Sequence, residues 1–307
     1  MFPLDKIKII TIDYKAGISP GVLDAIPENV IIVSPEDYKH VFKTDWNNVE
    51  YILFLGHDFL HFLYDKREKI KFWKNIKAKK IMWCFERIHC IVDEWRKRSL
   101  KCYSDVEKFA DYIFITDEED YRSLKNVYFL PQWSSPRFKN EKDFKEKIDK
   151  ILFTGQFGTI GYEQRTELIL KIKNDSEIGH YFQIANNSRI FSWDEYINNF
   201  IKYKYILNPI GNLVSFNTRV YEAVVAGNIL FQQIDDRFQI HKKILVENKE
   251  VIYFYSFDDL KEKFLDIIHN QEVSLTIHNN CRKIADNHIV FPRLDTIFSK
   301  INEKSHH

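Results

Sequence analysis

The sequence predicts an α/β protein built from two doubly wound domains, and three observations lead to this prediction. Short apolar runs alternate with longer amphipathic segments along the chain. The runs are apolar throughout, which is typical of parallel strands buried on both faces. A stretch composed mostly of charged and turn residues, 137–150, separates two such series. Two Rossmann-like halves with a cleft between them are therefore the simplest architecture.

The first domain is expected over residues 1–145. Its candidate strands and amphipathic helices alternate, which favours helices on both faces of one sheet. The strands are predicted at 8–12, 30–33, 51–55, 80–84, 112–116 and 127–130, and helices at 92–100 and 105–110.

The second domain is expected over residues 146–307, where the same alternation resumes. Its strands are predicted at 150–154, 181–184, 205–208, 229–232 and 251–255, and its helices at 162–173, 193–201, 218–226, 257–269 and 273–287. No internal repeat of short period interrupts this order.

The composition is that of a folded protein with sizeable cores. Of 307 residues, 45% are hydrophobic and 15% aromatic, so each domain can bury a core. Lys and Arg number 45 against 44 Asp and Glu, and this balance argues against a nucleic-acid-binding protein, which needs a basic excess. The four cysteines form no C-x-x-C pair, and neither a signal peptide nor a membrane-spanning run is evident. We therefore expect a cytoplasmic protein with reduced thiols.

The stretch SFNTRVYEAVVAGNIL, residues 215–230, predicts an anion site at a helix start. With Asn217 as the N-cap, Thr218 and Arg219 fall in the first turn. A cation is unfavourable at that end of a helix unless an anion lies beside it. The helix amides and Arg219 can then hold a pyrophosphate, and Glu222 can accept hydrogen bonds from two adjacent ribose hydroxyls. A capped core helix with a surface Arg and Glu is the alternative.

The loop GQFGTIGYEQR, residues 155–165, is a second candidate for phosphate binding. Gly155 and Gly158 flank Gln156 and let the backbone approach a ligand closely. Arg165 again falls in the first turn of the helix that follows, and two arginines at two helix starts favour an anion between them. The glycine spacing matches no nucleotide-binding motif, so an ordinary turn between strand and helix is the alternative.

The order of these segments resembles the GT-B glycosyltransferases, and more narrowly the group-1-like family typified by the spore maturation protein CgeB. The second half carries ILFTGQFGTIGYEQR, SWDEYINNFIKYKYILNP, NTRVYEAVVAGN, ILFQQIDDR and YFYSFDDL in the order of that family. KIMWCFERI, ADYIFITDEEDYRSL and VYFLPQW match its first half more loosely. The resemblance implies a donor bound mainly by the second domain, an acceptor platform in the first, and a last helix near 291–301 that returns to the first domain.

The resemblance also implies an activity. The enzyme would move a sugar from a nucleotide-diphospho-sugar to a hydroxyl of a glycan, a lipid-linked glycan or a protein, with retention and with no metal or other cofactor. The retaining pattern E-x7-E places its first glutamate at Val214, so the sugar contacts and the stereochemistry stay open. An inactive module that binds a nucleotide-sugar or a glycan is the alternative.

Two candidate catalytic residues follow strands of the first domain. His57 follows the strand at 51–55, and Glu86 follows the strand at 80–84, where ligands bind in open α/β sheets. Either could contact the sugar or deprotonate the acceptor hydroxyl, and a structural role is the alternative for each. HDFLH at 57–61 lacks a third metal ligand, and DEED at 117–120 is typical of a helix start, so no metal is expected.

The run KREKIKFWKNIKAKK, residues 66–80, is strongly basic and contains two aromatic residues. Such a surface can rest on an anionic membrane, which would suit a lipid-linked acceptor and a position at the inner membrane face. A solvated helix with one buried aromatic side is the alternative.

Overall fold

The computed structural model describes residues 4–12, 18–33, 39–56, 67–85, 88, 93–159, 162–186, 192–211 and 216–305. The chain divides into two compact units, of which the first combines residues 1–132 with 293–307 and the second comprises 133–292. The segment that precedes the predicted boundary at 145/146 packs with the second unit, because Phe138 and Phe144 are buried in its core.

The first unit is built on a six-stranded parallel sheet. Its order is β2-β1-β3-β4-β5-β6. The second strand, β2, therefore lies at one edge beside β1, and β3 to β6 follow in order on the other side of β1. The strands are β1 Ile7–Ile12, β2 Val30–Val33, β3 Tyr51–Leu55, β4 Lys79–Cys84, β5 Tyr112–Ile115 and β6 Val127–Phe129.

Helices flank this sheet. In the described part of the unit they are α1 Ile18–Leu23, α2 Lys39–Lys43, α3 Arg67–Asn75, α4 Asp93–Glu107 and α5 Glu118–Ser123, and α12 Val290–Ser305 extends into it from the second unit. The two helices predicted at 92–100 and 105–110 are one helix, α4. That division was wrong because no Gly or Pro interrupts the helical pattern between them.

The last helix packs with other residues of the first unit. The Phe298 ring lies edge-on to the Tyr51 ring at 4.7 Å between centroids. Arg293, which is buried, donates from Nε to the carbonyl oxygen of Gln132 at 3.0 Å.

The basic helix α3 turns its aromatic residues inward. Trp73 is fully buried and lies 5.2 Å from the Phe54 ring, while Phe72 packs edge-on against Phe42. Among its residues whose burial is described, Lys71, Lys74 and Asn75 are exposed. None of the helices in the described part of the chain is long and apolar enough to span a membrane.

The second unit contains a five-stranded parallel sheet of order β11-β10-β9-β7-β8. Its strands are β7 Ile148–Gly155, β8 Phe182–Asn186, β9 Tyr203–Asn208, β10 Ile229–Gln233 and β11 Val251–Phe254. The helices in its described part are α6 Glu163–Asn174, α7 Trp193–Lys202, α8 Thr218–Val225, α9 His241–Ile244, α10 Phe257–His269 and α11 Gln271–Ile284.

The strand order reverses between β7 and β9, because β8 lies on one side of β7 and the later strands on the other. Ligands of open α/β sheets bind at such a switch point, outside the carboxyl ends of the strands. Gly155 ends β7 and Asn208 ends β9, so both residues lie at this point. The helix α8, which follows β9, is buried from Val220 to Val225 and is therefore held firmly against the sheet.

Candidate functional site

Arg219 is held in one orientation by two strand ends. Its Nε donates to Thr154 Oγ1 and its Nη1 to Asn208 Oδ1, both at 2.8 Å. Thr154 and Asn208 are buried, whereas Arg219 is half-buried. Since these bonds use Nε and Nη1, Nη2 keeps donors that no described residue accepts from and that a ligand could use.

Gly155 lies directly beside that free end. A Cβ at this position would meet Nη2 of Arg219 at 3.2 Å, and the backbone φ is +139°. A side chain here would therefore crowd the guanidinium and strain the backbone. The glycine was predicted to let a ligand approach, and in the structure it also makes room for Arg219.

A chain of buried amides supports Asn208. Its Nδ2 donates to Gln232 Oε1 at 2.6 Å, and Gln232 Nε2 donates to the carbonyl oxygen of Gln233 at 2.6 Å. Asn208 and Gln232 are fully buried. Sequence reasoning missed these residues, although a polar residue at the end of each of two apolar strands was a signal for them.

Arg165 joins the loops that follow β7 and β9. Its Nη1 donates to the carbonyl oxygen of Gln156 at 3.2 Å and its Nη2 to that of Pro209 at 3.3 Å. The guanidinium also lies over the Tyr162 ring at 4.7 Å. Arg165 is only 6% exposed, and its buried Nε has no hydrogen-bond partner within the described ranges of the chain. It was expected to hold a diphosphate directly, but two of its three nitrogens bind the backbone here.

The two arginines bring positive charge to the switch point, where Glu222 is close enough to Arg219 to interact with its charge. Among the described residues, neither Arg165 nor Arg219 forms an ion pair with a carboxylate. Burial, with a contribution from the charge of Arg219, lowers the pKa of Arg165 to about 10. Because an uncompensated buried charge is costly, an anion bound at this point would stabilise the arrangement.

The start of α8 is open to the same anion. Asn217 occupies the N-cap position with an extended backbone, but its side chain accepts no hydrogen bond from the helix amides. Its Nδ2 lies 3.5 Å from Asn208 Oδ1, and its own buried Oδ1 has no partner among the described residues. The first turn, with Thr218 and Arg219, therefore lacks the side-chain cap that would compete with a ligand.

Glu222 lies one turn further along α8 and is 2% exposed. Its Oε2 accepts a hydrogen bond from the Tyr196 hydroxyl at 2.6 Å. Burial raises the pKa of Glu222 to about 7, while the hydrogen bonds from Tyr196 and Thr218 and the charge of Arg219 act in the opposite direction. Burial and the neighbouring Glu222 raise the pKa of Tyr196. Tyr196 was not among the predicted site residues.

Several predicted positions lie outside the described residues. These are the two catalytic candidates, His57 and Glu86, and Val214 of the E-x7-E pattern. Asp117 is described and caps α5, because its side chain accepts from the amides of Glu119 and Asp120. No group of three or more His, Cys, Asp or Glu with the geometry of a metal site occurs in the part of the chain that the structure describes.

The fold is that of the GT-B glycosyltransferases, as the resemblance in the sequence predicted. HepE from Anabaena in complex with UDP and glucose matches with a TM-score of 0.64 at 10% identity, over 97% of this chain and 99% of HepE. An α-glucosyltransferase in complex with UDP-glucose and DNA containing an abasic site matches with a TM-score of 0.63 at 11% identity, over 96% of this chain and 98% of the other. Sucrose-phosphate synthase from Thermosynechococcus elongatus matches with a TM-score of 0.58 at 8% identity, over 89% of this chain and 77% of the synthase.

Comparison at the level of sequence yields nothing more specific. No protein-family model matches the chain, and no curated protein matches it. The narrower resemblance to the CgeB-like family stays a prediction.

Proposed function

We propose that this protein is a glycosyltransferase that moves a sugar from a nucleotide-diphospho-sugar to a hydroxyl acceptor. The observation that carries the proposal is the pair of arginines at the switch point between β7 and β9. Arg219 keeps a free Nη2 beside Gly155 and the uncapped start of α8. A diphosphate supplies the charge and the acceptor oxygens that this arrangement lacks.

The donor would bind with its diphosphate on Arg219, the Gly155–Gly158 backbone and the amides of Thr218 and Arg219. Arg165 would hold together the loops that follow β7 and β9 through its hydrogen bonds to Gln156 and Pro209. The carboxylate of Glu222 would accept hydrogen bonds from the ribose hydroxyls. Two matching structures hold UDP or UDP-glucose, which makes uridine donors the first to test.

We further propose retention without a metal. The bond from the sugar C1 to the diphosphate oxygen breaks while the acceptor oxygen bonds to C1 on the same face. The acceptor proton passes to the leaving diphosphate, whose charge the guanidinium of Arg219 and the helix amides stabilise. His57 and Glu86 are proposed to contact the sugar or the acceptor.

The acceptor is proposed to be a glycan, a lipid-linked glycan or a protein. Lys71, Lys74 and Lys77 are exposed on or just after α3, so a membrane contact there would be electrostatic. Since the Trp73 side chain is buried, it would contribute nothing to such a contact. The near-neutral charge of the chain gives nucleic acid no general attraction.

The test is a calorimetric titration with UDP-, GDP-, dTDP-, ADP- and CMP-sugars. Arg219→Ala should weaken the nucleotide that binds by about 100-fold, because two or more charge-assisted hydrogen bonds are lost. Arg122→Ala, which removes an arginine paired with Glu118 in the first unit, is the matched control.

Turnover of the bound donor is then measured with and without EDTA. Donor cleavage that persists in EDTA supports a metal-independent transferase. Tight binding with no cleavage across the acceptor panel supports an inactive binding module instead. If none of the donors binds to the wild type, the proposed function is wrong.

A further inference from the structure

Tyr196 and Glu222 form the shortest polar contact of the donor site between side chains of two different helices. The Tyr196 hydroxyl donates to Glu222 Oε2 at 2.6 Å. We infer that Tyr196 is a positioning residue that holds the Glu222 carboxylate ready to accept two hydroxyls of the donor ribose. This inference rests on the proposed function and adds a residue to it.

The Tyr196 ring is fixed on several sides, so its hydroxyl is a rigid donor. The ring stacks on Trp193 at 5.6 Å with 16° between the planes. It also packs against Phe200 at 5.0 Å and Phe138 at 6.0 Å. A donor that is held in place by packing loses little entropy when it makes its hydrogen bond.

The start of α7 fixes the same residue along the chain. Ser192 and Glu195 form a reciprocal capping box, in which Ser192 Oγ accepts from the Glu195 amide and Glu195 Oε2 from the Ser192 amide. This cap sets where the helix begins and hence which face Tyr196 lies on.

The hydrogen bond leaves the carboxylate free for a ligand. A carboxylate has about four acceptor positions; the phenol uses one on Oε2 and the Thr218 hydroxyl uses another, which leaves two. The remaining positions on Oε1 and Oε2 suit two neighbouring hydroxyl groups. A protonated carboxyl would itself donate a hydrogen bond and could not accept from both hydroxyls equally well.

The charge state of Glu222 is set by few neighbours. Among the described residues, the groups that act on its carboxyl are Tyr196 from α7, and Thr218 and Arg219 from its own helix. The phenol, the Thr218 hydroxyl and Arg219 favour the ionised form, while burial favours the neutral form. If the phenolic donor is removed, burial prevails and the carboxyl is neutral up to a higher pH.

The test compares Tyr196→Phe with Tyr253→Phe. The control removes a second buried hydroxyl of the same unit, which donates to the carbonyl oxygen of Leu245 at 2.9 Å. Affinity for UDP and for the other nucleoside diphosphates is measured between pH 6 and 9. We expect Tyr196→Phe to lose about 5-fold in affinity at pH 7 and to recover towards the wild type at pH 9, because the lost bond raises the pKa of Glu222 by about one unit.

A second measurement does not need a nucleotide. The carboxyl ¹³C signal of Glu222 is titrated in the free protein, with Glu222→Gln for its assignment. The midpoint should rise by about one pH unit in Tyr196→Phe and stay unchanged in Tyr253→Phe. A wild type that binds no nucleotide would sink the proposed function, while this titration would still decide whether Tyr196 controls Glu222.

A double variant separates positioning from packing. In the Glu222→Gln background, Tyr196→Phe should change neither the affinity nor its pH dependence by more than about 2-fold, because no charge is left to control. An equal loss of affinity at every pH, or an unshifted Glu222 titration, means that Tyr196 only fills space and overturns the inference.

Discussion

The guanidinium of Arg219 lies against the backbone of Gly155, so closely that a methyl group on Gly155 would meet Nη2 at 3.2 Å. Gly155→Ala should therefore push the guanidinium away from Thr154 and Asn208, to which it is bonded. We expect a loss of about 1–3 kcal/mol in stability from backbone strain and a further loss of about 10-fold or more in donor affinity. Denaturant unfolding and calorimetric titration measure the two effects.

Gly158→Ala is the matched control for that prediction. Gly158 also has a positive φ, of +76°, but a Cβ there would meet nothing within 4 Å. Both variants should show the backbone cost and disturb the proposed diphosphate loop, but Gly155→Ala should lose more affinity, because only its Cβ also meets Arg219. Equal losses of affinity in both would mean that the contact with Arg219 is unimportant.

Arg165→Lys tests whether the fork of Arg165 holds two loops together. A lysine keeps the charge but cannot donate in parallel to the carbonyl oxygens of Gln156 and Pro209. We expect the free energy of unfolding to fall by about 1–3 kcal/mol, since a buried carbonyl loses its partner. Arg122→Lys, on the partly exposed pair with Glu118, should cost less than about 1 kcal/mol.

Glu222 predicts a specific pH dependence of stability. Burial raises its pKa in the folded protein to about 7 from the ordinary glutamate value of 4.5, so the folded state holds a proton that the unfolded state releases between these values. The stability is therefore fully present below the unfolded pKa and is lost as the pH rises towards 7. Relative to Glu222→Gln, the wild type should lose about 3 kcal/mol across this window. The difference between the two proteins cancels other titrating groups, such as Lys147.

Denaturant unfolding of both proteins at several pH values between 4.5 and 8 makes this measurement. Parallel stability curves for the wild type and Glu222→Gln would show that Glu222 is ionised throughout, in conflict with its burial.

The exposed lysines of the 66–80 run predict a purely electrostatic contact with anionic vesicles. Changing Lys71, Lys74 and Lys77 to Glu should abolish cosedimentation with phosphatidylserine vesicles at low salt, because each lysine contributes about 1 kcal/mol near such a surface. The same three changes at Lys145, Lys173 and Lys283, which are exposed in the second unit, are the charge-matched control. Equal binding by both triple variants would locate the contact elsewhere or exclude it.

The two sheets could be predicted because each strand is a local pattern. Apolar runs such as 30–33 and 51–55 coincide with the observed β2 and β3, of which the central strand β3 is mostly buried and the edge strand β2 partly buried. The division of α4 into two helices was predicted wrongly, because polar residues between 100 and 105 do not end a helix when no Gly or Pro accompanies them.

The site could be predicted only where its chemistry is local. Arg219 attracted attention because a cation is unfavourable at a helix start, and that reasoning needs no other part of the chain. Its partners Thr154 and Asn208 belong to β7 and β9, which become neighbours only through the strand order. Tyr196 was missed in the same way, since its contact with Glu222 joins two helices that are distant in sequence.

The position of the last helix has a consequence for synthesis on the ribosome. Residues 133–292 form one uninterrupted unit, whereas the first unit needs residues 293–307 as well. All of residues 133–292 are therefore translated before the last part of the first unit is made. Until residues 293–307 are present, Tyr51 lacks its ring contact with Phe298, and the carbonyl oxygen of Gln132 lacks its hydrogen bond from Arg293. The unit that is translated first is therefore the unit that completes its fold last.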